Sequence, residues 1–105
     1  MAGPRTLLVF SPQDDPRRER QLRAVEAEGR AAAERDVLLV DVAGRPDAPA
    51  LRDFYDVTEP FAVVLIGRDG IERERWSDVV STAELWAVVD ESPLRRAEAL
   101  GEFDV

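Results

Sequence analysis

Pro60-Phe61-Ala62-Val63-Val64-Leu65-Ile66-Gly67, followed almost at once by Asp69-Gly70, is the stretch on which the fold turns. The apolar run Phe61 to Ile66 is too short for a core helix and too uniform for a half-exposed strand. It predicts a strand buried on both faces, at the centre of a sheet. Asp-Gly supplies the positive φ that a tight hairpin needs, so the chain is expected to return antiparallel along Ile71 to Trp76. On that return Ile71, Arg73 and Arg75 alternate with Glu72, Glu74 and Trp76. Charges of both signs suit an edge strand, where they discourage further pairing.

Outward from this hairpin the remaining punctuation is regular. Thr6 to Ser11 is a second nearly unbroken apolar run and reads as another strand buried on both faces. Asp14-Asp15-Pro16 reads as a helix start, an aspartate N-cap before a proline in the first turn. Leu22, Val25 and Gly29 recur at helical spacing, with Glu19–Arg23 and Glu26–Arg30 as favourable pairs, so helix one is predicted from Pro16 to near Glu34. Val37 to Val42 reads as a further buried strand. Asp47 to Tyr55 reads as a short helix capped by Asp47 and anchored inward by Leu51, Phe54 and Tyr55. Ser81-Thr82-Ala83-Glu84 has the form of a capping box, opening a helix through about Asp90 with Leu85, Val88 and Val89 inward. Ser92-Pro93 starts a short C-terminal helix, with Leu94, Ala97 and Leu100 inward. The order β-α-β-α-β-β-α predicts an α/β fold: parallel crossovers, then a hairpin, in a mixed sheet covered on both faces. With no repeat or linker, residues 1–105 read as one domain.

Composition removes many chemistries. The 105 residues contain neither cysteine nor histidine, which excludes disulfides, thiolate metal sites, cysteine nucleophiles and imidazole bases. A net charge of −8 has the wrong sign for a phosphate backbone, so nucleic acid is not an expected partner. All 14 basic residues are arginine, and lysine and asparagine are absent. Arginine forks suit carboxylates and phosphates; dispersed as they are, they also fit the coding bias of a GC-rich genome. No apolar stretch approaches the ~20 residues of a membrane span. Met1 to Arg5 leaves no room for a signal peptide, so the cytoplasm is the default location unless a leader has been removed. No cofactor or metal is expected.

The order and its punctuation resemble the thioredoxin fold. Phe10-Ser11-Pro12-Gln13-Asp14-Asp15-Pro16-Arg17 lies where thioredoxins carry the W-C-G-P-C motif, with Asp14 and Arg17 at the cysteine positions. Tyr55-Asp56-Val57-Thr58-Glu59-Pro60-Phe61 matches the segment ending in a cis-proline, and Asp69-Gly70 the hairpin turn. The match runs from about Thr6 to Asp90, and the missing cysteines imply a redox-inactive member. Arg5 to Phe10, Glu34 to Val37, Pro60 to Gly67 and the tail Asp90 to Glu98 further resemble a bacterial family of unknown function. That family is shared with vertebrate secreted matrix proteins of the sushi-repeat and coiled-coil-domain-containing type. This resemblance implies an interaction role and supplies no catalytic residues.

The candidate site is therefore Asp14, Asp15, Arg17, Glu59 and Pro60, where the start of helix one meets a Glu59–Pro60 bond expected to be cis. An extended peptide is expected there, pairing with the backbone before Pro60 and favouring basic residues. Asp14 and Asp15 also read plainly as helix caps and Glu59 as a solvated loop residue. Arg17, Arg18 and Arg20 crowd a first turn where each positive charge costs about 0.3–1 kcal/mol against the helix dipole, unless the aspartates compensate. The alternative is an enzyme or small-ligand binder using Asp14, Asp15 and Glu59 as carboxylates, with a divalent cation. Gly67 and Gly70 flank a hairpin, so no phosphate loop is expected. Trp76 and Trp86 read as packing residues. The chain is expected as a monomer or a weak homodimer through the edge strand or Trp76.

Overall fold

The two apolar runs form the two inner strands of a four-stranded sheet. In the computed structural model, which describes residues 3–101, β1 is Arg5–Phe10, β2 Val37–Asp41, β3 Ala62–Ile66 and β4 Glu72–Trp76, in the order β2-β1-β3-β4. β1 runs parallel to β2 and antiparallel to β3, with Leu7 opposite Leu65 and Leu8 opposite Val64. Only the first crossover is thus parallel; the second returns the chain antiparallel to β1. β4 closes the hairpin as the expected edge strand, with Gly70 at φ 80° in its turn.

Because side chains alternate across a strand, β1 and β3 feed two cores at once. Leu7, Val9, Val63 and Leu65 join Val25, Leu85, Trp86 and Val89 on one face. Leu8, Phe10, Val64 and Ile66 join Val42 and Val57 on the other. The first face is covered by α1 (Pro16–Glu26), α2 (Gly29–Glu34) and α4 (Thr82–Glu91), the second by α3 (Ala48–Phe54). α5 (Pro93–Ala99) follows α4 at one end of the sheet.

Asp15 caps α1 through the Arg17 N–H at 2.9 Å, with Pro16 as its first residue. Ser81 caps α4 through the Glu84 N–H at 3.2 Å, while the Glu84 carboxylate accepts from Trp76 Nε1 at 2.5 Å rather than closing the box. Ser92 caps α5 through the Arg95 N–H.

Several expectations are corrected. Helix one is two helices, broken at Ala27 and Glu28. Gly29 weakens the helix there, and the Glu28 carboxylate instead accepts from Trp86 Nε1 at 2.9 Å and from Thr82 Oγ1. The pair Glu19–Arg23 forms, whereas the break separates Glu26 from Arg30. β2 is an edge strand rather than a buried one, leaving Leu38 exposed. Asp47 precedes α3 without capping it, its carboxylate being held by Arg45. Phe54 points outward because Leu51 and Tyr55, four apart, share the inward stripe. In α5, Leu94 and Leu100 are exposed and Ala97 is half-buried.

Ion pairs hold α5 instead. Glu98 accepts from Arg68 Nε at 2.8 Å and Arg5 Nη1 at 3.2 Å, and Arg68 also reaches Asp36 at 2.7 Å. At the α4–α5 junction the Arg35 fork grips Asp90 through two hydrogen bonds of 2.9 Å.

Two outcomes follow from this packing. Gln21 is fully buried on α1, where Nε2 donates to Val80 O at 3.0 Å and Oε1 accepts from Val80 N at 2.8 Å. Gln21→Leu strands both backbone groups, at about 1–3 kcal/mol each, so urea unfolding should shift clearly to lower midpoint. An unchanged midpoint would show that the clamp contributes nothing. The second outcome concerns acid. The Arg35 fork holds the Asp90 carboxyl below its usual range. Burial pushes Glu98 up, but hydrogen bonds from Arg68 and Arg5 outweigh it and the net direction is down. Depressed carboxylates contribute stability that is present above their unfolded values near 4 and lost as pH falls through the folded ones. Amide exchange in α5 should therefore accelerate below about pH 4 before that in β3 does. Equal protection of both at pH 3 would contradict an electrostatic dock.

Candidate functional site

The pairing of β1 with β3 sets Phe10 against Ala62 and so brings the start of α1 beside the Pro60–Phe61 turn. Ser11 is buried, and the Asp15 N–H donates to Pro12 O at 3.3 Å, turning the chain from β1 into α1. The side chain of Gln13 lies over Gly44, at φ 77°, where a Cβ would stand 2.2 Å from Nε2.

Asp15 and Arg17 form a closed pair. The Arg17 fork returns to the capping carboxylate, with Nη2 to Oδ2 at 2.8 Å, and its guanidinium lies 4.8 Å over the Phe61 ring. The hydrogen bond from the Arg17 side chain, then that from its backbone N–H, holds the Asp15 carboxyl below its ordinary range. Arg18 is held by Asp41 at the end of β2, with Nε to Oδ1 at 3.0 Å. Two first-turn arginines that oppose the helix dipole thus each have a carboxylate partner, one of which, Asp41, sequence spacing did not connect to them.

Two further arginines shape the opposite side. Arg52 donates to Glu59 O at 2.8 Å and Pro60 O at 2.9 Å, and packs 5.6 Å from the Phe10 ring. Arg75 donates to Asp56 O at 3.0 Å, to Tyr55 O and to Glu72. The Glu59–Pro60 bond is trans: the described residues contain no cis peptide. The sharp turn into β3 is made instead by Asp56 at φ 53° and by the arginine clamps on the carbonyls of residues 55, 56, 59 and 60. The backbone before Pro60 is consequently engaged by Arg52, which removes the main advantage of a strand-addition mode.

Of the five candidate residues, the structure joins Asp15 with Arg17, and Arg17 with the ring following Pro60. Asp14 is exposed in the preceding turn. Glu59 is half-buried, and its Oε2 is buried without a hydrogen-bond partner among the described residues. The carboxylate cluster of the alternative reading, Asp14, Asp15 and Glu59, is not assembled: among the described residues no three acidic groups converge to hold a cation. The arginines that fix the loop, Arg52 and Arg75, were missed, because only the folded chain shows which carbonyls they face. Trp86 packs in the core under Arg35, as a packing role requires.

No described helix is long and apolar enough to cross a membrane. The fold is thioredoxin-like. The chain is similar to thioredoxin-2, a component of malaria parasite protein secretion machinery, with TM-score 0.71 and 15% identity over 88% of this chain and 86% of that one. It is similar to StoA from Bacillus subtilis, with TM-score 0.63 and 15% identity over 84% of each chain. To a thioredoxin from Thermus thermophilus the TM-score is 0.59, with 20% identity over 94% of this chain and 82% of that one. No curated protein matches. Residues 3–98 match one family model, and the chain belongs to that family, the domain of unknown function DUF4174.

Proposed function

We propose that this domain is a redox-inactive thioredoxin-like module that recognises a protein segment at the pole formed by Asp14, Asp15, Arg17, Glu59 and Pro60. A chain without cysteine cannot exchange disulfides, so what this pole retains is shape and charge. The observation that carries the reading is Glu59: its Oε2 is buried with no hydrogen-bond partner among the described residues, beside a loop whose carbonyls are already engaged. Glu59 as a whole is only half-buried, so a donor arriving at its side chain can satisfy that oxygen after a small rotation. With Asp14 exposed nearby in sequence to the cap and a net charge of −8, the favoured partner is an extended segment bearing basic residues. Recognition goes through side chains here, since Arg52 already occupies the Glu59 and Pro60 carbonyls.

Glu59→Gln separates charge from shape, because it keeps the side-chain volume and removes the anion. On an array of random extended peptides, wild type should enrich basic sequences, and binding should weaken as salt rises. Glu59→Gln should lose that enrichment and bind the same peptides several-fold less well. An unchanged ranking between the two proteins, or binders without basic residues, would remove this pole from consideration.

A further inference from the structure

At the other end of the sheet, where β1 begins and β3 ends, lies a cavity of about 650 Å³ between the strand ends, α4 and the start of α5. We propose that it binds a small monocarboxylate with an apolar body. This site is separate from the pole described above and does not rest on that reading.

The walls and the charges are both specific. Leu65, Val88, Val89, Pro93 and Leu94 line the cavity, which is in the size range of small-molecule sites. Leu94, expected in the core, is 38% exposed because it stands on the cavity rim. Beside this apolar surface sits Arg5, only 4% exposed. Its Nη1 is satisfied by Arg35 O at 2.7 Å and Glu98 at 3.2 Å, while its Nη2 is buried with no partner among the described residues. Nη2 is thus the arm of this guanidinium that lacks an acceptor, and a carboxylate admitted beside Arg5 is the group that supplies one.

Two more arginines line the cavity, and their pairing sets the ligand's charge. Arg68 is held by Glu98 and Asp36. Arg73 is aimed by a register shift in the β3–β4 ladder between Leu65 and Ile66, which leaves it opposite no β3 residue. Its side chain crosses Gly67, where a Cβ would stand 2.7 Å from Nε, and it pairs with Asp69 at 2.6 Å. Asp69 and Glu91 also line the cavity and Glu98 pairs with Arg5, so a polyanion such as phosphate meets more repulsion than a single carboxylate.

The test uses the full chain, isotope-labelled, with amide spectra recorded during titration by octanoate, octanol and inorganic phosphate. Octanoate should give saturable shifts at Leu65, Val89 and Leu94, octanol should bind at least tenfold more weakly, and phosphate should leave these residues unmoved. Arg5→Lys, which keeps the charge and loses the fork, should weaken octanoate about tenfold. Arg5 also ties Glu98 to Arg35 O, so Leu94→Asp on the exposed rim provides a second variant that leaves the core intact; it should weaken octanoate at least fivefold. Absence of saturable shifts at the cavity, equal binding of octanol, equal binding of phosphate, or a Leu94→Asp variant that binds like wild type would each overturn the proposal.

Discussion

The antiparallel ladder between β1 and β3 is the constraint on which the rest of the molecule depends. Both strands are apolar on both faces, so neither can sit at an edge without exposing a row of large side chains to water. Paired at the centre with Leu7 opposite Leu65, they supply most of both cores. The same register fixes what meets at each end. It sets Phe10 against Ala62, so that the α1 cap meets the Pro60 turn. It sets Thr6 against Ile66, so that Arg5 meets Gly67 and the cavity. A one-residue slip would exchange the two cores and dissolve both poles.

Around that ladder the arginines act as struts rather than as a diffuse surface charge. Arg52 and Arg75 span from elements to loop carbonyls, Arg35 and Arg68 join segments distant in sequence, and Arg17 couples a helix cap to an aromatic ring. Each use depends on several donors held in one plane. A lysine would keep the charge and make one of the bonds. The folded structure uses the fork wherever a carbonyl pair or a carboxylate lies within reach. This is also why α5 can dock with no buried residue of its own. Its attachment is electrostatic, which ties the shape of the neighbouring cavity to the charge state of Glu98 and Asp90.

How much of this was legible in the sequence follows from whether a signal is local. The inner strands, the Asp15 and Ser81 caps and the Gly70 turn depend on a few adjacent residues and were readable directly. Features set by distant partners were not. Periodicity placed Leu94 and Leu100 inward, because it assumes that a helix docks by its apolar stripe, whereas α5 docks by ion pairs. Nothing local marks Gln21 for burial; its partner, Val80, lies 59 residues away in sequence. The expected cis bond at Pro60 came from resemblance to a family, and a local arginine clamp reaches the same turn with a trans bond. The grouping of the candidate residues also depends on distant partners: Asp15 turns to Arg17 rather than to Glu59.

That pairing decides what the start of α1 offers in a chain without cysteine. The start of a helix carries a partial positive charge that stabilises an adjacent anion, and in a thiol enzyme the anion is a nucleophile. Here the anion is the Asp15 carboxylate, already depressed by Arg17 and already spent on the Arg17 N–H. The field that would activate chemistry instead fixes the first turn of α1. Arg17 carries that rigidity across to Phe61 and so to the loop bearing Glu59. At this end of the sheet the cap, the ring and the loop are thus tied together, and the one carboxylate oxygen of the loop left without a partner among the described residues is Glu59 Oε2.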